Sequence, residues 1–366
     1  MPKGLHQTRH FEVSQQLRSL VAELRGGDLP TKRELMQRFD ASQATVDQAV
    51  NRLRREGLIY RPAGRRRLAI RQLQRPATLR VCLLRPDWPS AVFDHITATV
   101  VQHGSKLGWT FEHVTYRSMA EISLQEAAAG SSALVLLTTA EPIPSELNRV
   151  LCRPPMPVVV AQDSRPGLAA NTVCNDDSQM CRVGVRHLQG LGHRRIGLVL
   201  PSCSTGPMQR AMRGWRQAME LAGEHELDEL VVDAKTPHGH DSRDATYRAF
   251  DRCLAENRAG FTAVYVASSA SALAVMRVLW ERQVRVPEDM SVVSADGLSG
   301  ECAYMCPPVT SVDTSSEEFG RAVATLIDEQ VQDQKATDGT PLEPRSLWID
   351  GHLNERRSTC SPKSIQ

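Results

Sequence analysis

Apolar residues in the first 57 positions recur at helical intervals and predict three helices. The first spans Phe11 to about Arg25 and ends at Gly26-Gly27, a pair that stops helices. The second is short and begins after Thr31, an N-cap residue with Glu34 in the capping-box position. Residues 40–42 then break the pattern, so a tight turn is predicted before the third helix.

The third predicted helix runs from Ser42, which can cap it, to Gly57, and its two faces differ in kind. The inner face is apolar, whereas the outer face lacks the mixture of Glu and Lys that is usual on surface helices. The outer residues are Gln43, Gln48, Asn51, Arg52, Arg54 and Arg55. Amide and guanidinium groups are suited to the base edges and phosphates of DNA.

The stretch "LIYRPAGRRRLAIR" alternates apolar residues on either side of Pro62-Ala63-Gly64, which predicts a β-hairpin. Arg65, Arg66 and Arg67 make its tip strongly basic. Residues 72–78 have no clear period and include a proline, so they are interpreted as a linker. The first predicted domain therefore spans residues 1–71.

From Leu79 onward, short apolar runs alternate with amphipathic helical segments, a pattern typical of parallel sheets covered by helices on both faces. The runs are "LRVCLL", "WTFEHV", "ALVLL", "PVVVA", "RIGLVL", "LVV", "TAVYVA" and "SVVSA". Their grouping favours two lobes, the first up to about Val160 and the second from Arg195, with a final strand near "SLWI".

The 366-residue chain has a net charge of +2, but this charge is unevenly distributed. Residues 1–80 hold 17 Lys and Arg against 7 Asp and Glu, a net +10, and the remainder holds 27 against 35, a net −8. A basic N-terminal part indicates a polyanionic partner; a solvated basic face with no partner is the alternative. Because no long apolar run and no signal-peptide pattern occurs, we expect no membrane insertion and a cytoplasmic protein.

Motifs for catalysis or metal binding are absent from suitable contexts. The sequence has no G-x-S-x-G, H-E-x-x-H, P-loop or G-x-G-x-x-G motif placed to act, and its nine cysteines include no C-x-x-C pair. The stretch "HGHD", residues 238–241, is more typical of a solvated loop than of a metal site. We therefore expect no enzyme activity and no cofactor.

Residues 10–71 resemble the winged-helix DNA-binding domain of the GntR family of bacterial transcription regulators. The resemblance rests on "LPTKREL", the Ser-x-x-Thr-Val turn and the Leu-x-x-x-Gly-Leu-Ile transition. It implies that the helix from Ser42 enters the major groove and that the wing after Gly64 contacts the backbone or minor groove. The candidate DNA-binding residues are Thr31, Arg33, Ser42, Gln43, Thr45, Gln48, Arg52, Gly64, Arg65, Arg66 and Arg67. Thr31 and Arg33 could instead be only cap and surface residues.

Two positions of this helix depart from the GntR pattern. Arginine commonly follows the turn serine and the Thr-Val pair, and here Gln43 and Asp47 occupy those positions. Asp47 would either repel phosphate or accept a hydrogen bond from a cytosine amino group, and the sequence leaves both alternatives open.

Residues 79–360 resemble the effector-binding domain of the LacI/GalR family, which shares its fold with periplasmic sugar-binding proteins. The motifs "HLQGLGHRRIGLVL", "GWRQAMELAG", "VPEDMSVVSADG", "PPVTSVDTSSEEFGRAVATLI" and "LNERRST" occur in the expected order. The resemblance implies two Rossmann-like lobes joined by three crossovers, with a small ligand at the carboxyl ends of the strands. The predicted fold class is α/β, a winged helix-turn-helix followed by a two-lobed periplasmic-binding-protein-like domain.

Loops at the carboxyl ends of the strands supply the candidate effector-binding residues, which are Asp87, Trp88, Asp163, Asn175, Arg210, Ser269 and Asp296. Trp88 could stack on a ring and Asp296 could accept hydroxyl hydrogen bonds; lobe packing and capping of the next segment are the respective alternatives. Ser268-Ser269, Asn175 and Ala211 stand where the family commonly has other residues. We therefore hypothesise that the effector is not one of the family's standard sugars.

Together these features predict a ligand-responsive, sequence-specific DNA-binding transcription regulator, expected to be a repressor and a homodimer. Its expected partners are a double-stranded DNA operator and a sugar-like or other polar small-molecule effector. The alternatives are a solute-binding module with a non-specific basic appendage and an enzyme built on the same sheets.

Overall fold

The computed structural model describes residues 9–24, 27–55, 58–62, 67–70, 79–88, 90–139, 141, 143–163, 168, 170–225, 227–237, 239–256, 260–297, 300–336 and 344–362. The chain forms two compact units, Met1–Thr78 and Leu79–Gln366. The predicted linker, residues 72–78, lies outside the described residues. Within the described ranges, no helix is long and apolar enough to cross a bilayer.

In its described residues, the N-terminal unit contains three helices and a small antiparallel sheet of order β1-β3-β2. Its elements are α1 (Arg9–Leu24), β1 (Gly27–Asp28), α2 (Lys32–Phe39), α3 (Gln43–Arg55), β2 (Ile59–Tyr60) and β3 (Ala69–Ile70). The three helices and the β2–β3 hairpin confirm the predictions. Strand β1 was not predicted, because two residues are too few to show an alternating pattern.

Caps fix the starts of α2 and α3. Thr31 Oγ1 accepts a hydrogen bond from the Glu34 amide at 3.3 Å, and Glu34 Oε2 accepts one from the Thr31 amide at 2.7 Å. This is the predicted capping box. Ser42 Oγ accepts a hydrogen bond from the Thr45 amide at 3.3 Å, as expected for the cap of α3. The apolar faces of α1, α2 and α3 meet in one buried core, so the caps and the core hold the helices in a single unit.

The large unit alternates strands and helices, as its sequence pattern predicts. Its first half contains β4 (Arg80–Pro86), α4 (Ala91–Lys106), β5 (Thr110–Tyr116), α5 (Leu124–Ala127), β6 (Ala133–Leu137), α6 (Ser145–Cys152), β7 (Val158–Ala161) and β8 (Asn171–Asn175). Its second half contains α7 (Asp177–Gly190), β9 (Ile196–Leu200), α8 (Gly206–Leu221), β10 (Val231–Asp233), α9 (Ser242–Ala255), β11 (Ala263–Val266), α10 (Ser269–Glu281), β12 (Ser291–Gly297), β13 (Thr310–Asp313), α11 (Ser316–Ala336), β14 (Ser346–Ile349) and β15 (His352–Asn354).

Two six-stranded sheets define the two lobes of this unit. Lobe 1 holds the all-parallel sheet β14-β8-β7-β6-β4-β5. Lobe 2 holds β10-β9-β11-β12-β13-β15, in which only the β13–β15 pairing is antiparallel. Because consecutive strands change sheet after β8, after β13 and after β14, the chain crosses between the lobes three times. The predicted two-lobed α/β fold with three crossovers is therefore confirmed.

All eight predicted apolar runs form strands, and the strand near "SLWI" is β14. Strands β8, β13 and β15 were not predicted, because polar residues interrupt their apolar character; β8, for example, reads "NTVCN". For the same reason the predicted end of the first lobe near Val160 is wrong. Lobe 1 continues through β8 to Asn175 and also includes β14, which lies near the end of the chain.

Candidate DNA-binding surface and effector cleft

The outer face of α3 presents polar side chains to solvent. Gln43, Gln48, Asn51 and Arg54 are exposed, and Arg52 is half-buried. The opposite face is buried in the apolar core. Amide groups can donate and accept hydrogen bonds at base edges, and arginines can bind phosphates or guanine, so this face has the chemistry of a DNA reader.

Hydroxyl groups among the candidate DNA-binding residues also hold the starts of the helices. Thr31 belongs to the capping box of α2, and the Ser42 and Thr45 hydroxyl oxygens lie 2.9 Å apart at the start of α3. Thr31 therefore caps α2, which was the alternative to its binding DNA. Arg33, in the first turn of α2, is exposed.

The basic wing is described only in part. Arg67 is exposed, whereas Gly64, Arg65 and Arg66 lie outside the described residues. Hydrogen bonds with Thr31 lower the pKa of Glu34, and the charge of Arg67 lowers it further. Arg67 therefore lies within electrostatic reach of the start of α2, which carries Lys32 and Arg33.

An ion pair that the sequence analysis did not predict joins the starts of α2 and α3. Lys32 Nζ lies 2.5 Å from Asp47 Oδ1, and the two side chains are 56% and 32% exposed. Asp47 is one of the two positions at which the helix departs from the GntR pattern. Lys32 thus compensates the charge of Asp47 within the domain. Neither alternative for Asp47, repulsion of phosphate or a hydrogen bond from cytosine, included such a partner.

In lobe 1, the candidate effector residues lie at the carboxyl ends of β4, β7 and β8. Asp87 Oδ2 accepts a hydrogen bond from Arg117 Nε at 3.1 Å. Asp163 is buried, and its Oδ2 accepts one from Thr138 Oγ1 at 2.7 Å. Asn175 is also buried, and its side-chain oxygen has no hydrogen-bond partner in the described part of the chain.

Trp88, which follows β4 in lobe 1, extends toward lobe 2. A Cβ added to Gly239, in the loop between β10 and α9, would lie 3.7 Å from Trp88 Cδ2. The half-buried indole therefore lies beside this loop of the opposite lobe. This position fits the lobe-packing alternative for Trp88, and stacking on an effector stays a prediction.

Arg210 of lobe 2 is bound by protein groups. Its Nε and Nη2 donate to Asp177 Oδ2 at 3.0 and 2.8 Å, and its guanidinium carbon lies 5.4 Å from the ring centroid of Trp348 in lobe 1. The Arg210 and Asp177 side chains are only 8% and 17% exposed. Burial raises the pKa of Asp177 to about 6, and Arg210 opposes that shift. Arg210 thus joins the first turn of α7 to a strand of lobe 1.

Ser269 and Asp296 both bind the short 3-10 helix Glu301–Tyr304 of lobe 2. Ser269 Oγ donates to Glu301 Oε2 at 2.6 Å, and Asp296 Oδ2 accepts from the Cys302 amide at 3.1 Å. Asp296 therefore caps the 3-10 helix that follows it, which was the alternative to its binding an effector. Partial burial lowers the pKa of His95, on α4 of lobe 1, and the charges of Asp296 and Glu301 oppose that shift. His95 therefore lies within electrostatic reach of both carboxylates.

Sequence reasoning missed three residues at the cleft, namely His95, Asp177 and Glu301. Asp177 had a signal, because it directly follows Asn175-Asp176 at the start of a predicted helix. His95 and Glu301 lie within helical segments, where no strand end marked them. In the described ranges, no group of three or more His, Cys, Asp or Glu side chains could hold a metal ion, and His238 of "HGHD" lies outside them.

Two family models match the chain. Residues 11–67 match "Bacterial regulatory proteins, gntR family", and residues 185–359 match "Periplasmic binding protein-like domain". The HTH-type transcriptional repressor CytR of Escherichia coli K12 is 23% identical over 354 residues, which cover 93% of this chain and 96% of CytR. The HTH-type transcriptional regulator CelR of Thermobifida fusca is 33% identical over 178 residues, 48% of each protein.

Solved structures share the fold. A complex of the transcriptional regulator CelR with cellobiose has a TM-score of 0.64 at 24% identity and covers 87% of this chain and 91% of that one. A LacI family regulator from Enterococcus faecium with bound ribose has a TM-score of 0.63 at 19% identity, covering 78% and 100%. The chain therefore joins a DNA-binding domain of the gntR family to a periplasmic-binding-protein-like domain of the LacI/GalR type and belongs to the bacterial DNA-binding transcription regulators.

Proposed function

We propose that this regulator is a repressor that binds its operator as a homodimer, with α3 of each protomer in a major groove. The exposed amide and arginine face of α3 is the observation that carries the proposal. In a two-fold dimer, equivalent recognition helices meet equivalent half-sites, so the operator contains two related half-sites one or more helical turns apart. The similarity to proteins named repressors supports the direction of regulation.

The candidate DNA-binding residues divide by chemistry. Gln43 and Gln48 read base edges, because a side-chain amide matches the donor and acceptor pattern of adenine. Arg33, Arg52 and Arg67 bind phosphates and contribute affinity that depends on salt. The wing residues Gly64, Arg65 and Arg66 are assigned to DNA from their sequence alone, and Thr31, Ser42 and Thr45 add hydroxyls at the helix starts.

The effector site of the proposal lies between the lobes of the large unit. Asp163 and Asn175 of lobe 1 and Ser269 and Asp296 of lobe 2 lie at strand ends, where ligands bind in sheets of this type. Buried polar side chains favour a polar ligand over an apolar one. The side-chain oxygen of Asn175 has no hydrogen-bond partner among the residues that the structure describes, which favours an effector that donates a hydrogen bond there.

The effector of this protein is not a simple pentose or hexose bound in the family's standard way. Arg210 already binds Asp177 and stacks on Trp348, and the neighbouring Ala211 is a buried small residue. These positions therefore do not supply an uncommitted guanidinium for sugar hydroxyls. Calorimetry with simple pentoses and hexoses is expected to show weak binding, and tight binding would contradict this part of the proposal.

We further propose that the chain is not an enzyme and that it works in the cytoplasm, where chromosomal DNA lies. The curated relatives support this, because they are transcription regulators. A solute-binding module with a basic appendage is the second candidate function, favoured by the two-lobed fold. Such a module would bind DNA without sequence preference.

A gel-shift titration on the DNA upstream of the protein's own gene separates these functions. A regulator gives a saturable shift that competitor DNA of random sequence does not remove, and the affinity falls steeply with salt. Gln43→Ala should relax preference at one base position, whereas alanine at Arg65, Arg66 and Arg67 together should weaken binding to all DNA and flatten the salt dependence. Equal affinity for upstream and random DNA would reject the regulator.

A further inference from the structure

We propose that the Lys32–Asp47 ion pair reads a base pair of the operator. In this proposal, Asp47 accepts a hydrogen bond from the N4 amino group of one cytosine, and Lys32 positions the carboxylate. The inference rests on the proposed function, because it requires α3 to lie in the major groove.

The position of Asp47 on α3 places its carboxylate among the side chains assigned to DNA. Asp47 follows Gln43 by four residues and precedes Asn51 by four, and residues so spaced lie on one face of a helix. Gln43 and Asn51 are exposed, and Asp47 is 32% exposed. In domains of this kind, the N-terminal turns of the recognition helix contact base edges, and Asp47 lies in the second turn.

Lys32 removes the main objection to a carboxylate at this place. An isolated Asp47 would be repelled by the phosphates that flank the major groove. With Lys32 Nζ 2.5 Å from Asp47 Oδ1, the pair carries no net charge. Lys32 is 56% exposed while Asp47 Oδ1 is buried, so water screens this ion pair from the lysine side and its contribution to folding stability is small.

The donor and acceptor pattern of the major groove decides which base fits. An ionised carboxylate only accepts hydrogen bonds, and the bases that offer donors in the major groove are adenine and cytosine. Adenine places the acceptor N7 beside its amino group, and that lone pair repels a carboxylate. Cytosine has no such acceptor, and the O6 atom of its paired guanine accepts from a lysine. The Lys32–Asp47 pair therefore fits a C·G base pair.

The test compares base preferences of full-length proteins on a library in which each operator position is varied. Wild type is expected to prefer cytosine at one position of each half-site by about 5- to 150-fold, the range for one specific base contact. Asp47→Asn should lose this preference and favour adenine at that position. The double variant Lys32→Asp with Asp47→Lys keeps the ion pair in reversed polarity, and it should favour guanine, since lysine donates to O6 and N7.

A matched control exchanges the charges of an exposed ion pair in the large unit, Arg277→Glu with Glu281→Arg. This control should leave the base preferences unchanged, and melting temperatures report whether each variant is folded. If both Asp47 variants keep the base preferences of wild type, the pair only joins α2 to α3 and the inference is overturned. If wild type shows no sequence preference at all, the proposed function fails first, so the two failures are distinguishable. Should the double variant not fold, Asp47→Asn alone decides.

Discussion

Replacing Arg210 with methionine should destabilise the large unit, and the loss should be greater at pH 8 than at pH 5. In the wild type, two guanidinium nitrogens of Arg210 hold the buried carboxylate of Asp177. Methionine keeps an apolar contact for Trp348 but leaves this carboxylate without its cation. Removal of one partner from a buried ion pair costs about 3–5 kcal/mol of the free energy of unfolding.

The pKa of Asp177 sets the pH dependence of that loss. Burial raises this pKa from 3.8 to about 6 even with Arg210 present. Because the folded-state value is above the unfolded one, the stability that protonated Asp177 contributes is fully present below about pH 3.8 and is lost as the pH rises through about 6. A shift of about two units corresponds to about 3 kcal/mol at pH 8. Without Arg210 the pKa rises further, so the variant loses still more stability between pH 5 and pH 8.

Thermal unfolding of the full chain at both pH values measures the effect, always as the difference from wild type. A loss of about 3 kcal/mol should lower the melting temperature by about 6 °C or more at pH 8, and by clearly less at pH 5. Asp177→Asn is the matched control, because it leaves a buried Arg210 that stays charged at both pH values. Relative to wild type, its destabilisation should therefore be smaller at pH 8 than at pH 5, because only the wild type loses the contribution of Asp177 as the pH rises. Equal losses at pH 5 and pH 8 for Arg210→Met would refute this account of the pair.

Four further substitutions have defined outcomes. Thr31→Ala removes the capping box and should lower the stability of the N-terminal unit by about 0.5–2 kcal/mol, measured by far-ultraviolet circular dichroism in urea. Burial lowers the pKa of His193 below its ordinary value of 6.5. The stability that neutral His193 contributes is therefore fully present above pH 6.5 and is lost as the pH falls through the pKa of the folded state. His193→Phe should reduce this loss of stability at acid pH, measured by urea titrations. Gly214→Ala would place a Cβ 2.2 Å from the Ser178 carbonyl oxygen and should destabilise the α7–α8 contact, whereas Gly190→Ala, which meets nothing within 4 Å, should not lower the melting temperature.

Local patterns predicted the elements of the N-terminal unit well, because their causes are local. The capping box needs only Thr31 and Glu34, three residues apart, and the apolar stripe of α3 is visible within 13 residues. The ion pair of Lys32 and Asp47 depends on how two helices pack. Because Lys32 and Asp47 are not neighbours in the sequence, the sequence does not indicate that they pair, although each carries an obvious charge.

The cleft shows the same division between local and long-range information. Strand ends identified Asp163, Asn175 and Asp296 as candidates, since parallel strands reliably bring their carboxyl ends to one edge. The strand ends gave no indication that Arg210 would bind Asp177 and stack on Trp348. Trp348 belongs to β14, a strand from the last part of the sequence that returns to lobe 1. Polar strands such as β8 were hidden because apolar periodicity was the signal used to find strands.

The most direct test of the account measures whether the large unit controls the DNA affinity of the N-terminal unit. A ligand is first identified by its effect on the melting temperature, and fluorescence anisotropy then gives the Kd for labelled operator DNA with and without it. We expect the ligand to change this Kd by about 5- to 150-fold, and we expect Asp296→Asn to reduce the change while leaving the Kd for DNA alone unaltered. A ligand that binds in the cleft and leaves the Kd for operator DNA unchanged would contradict it.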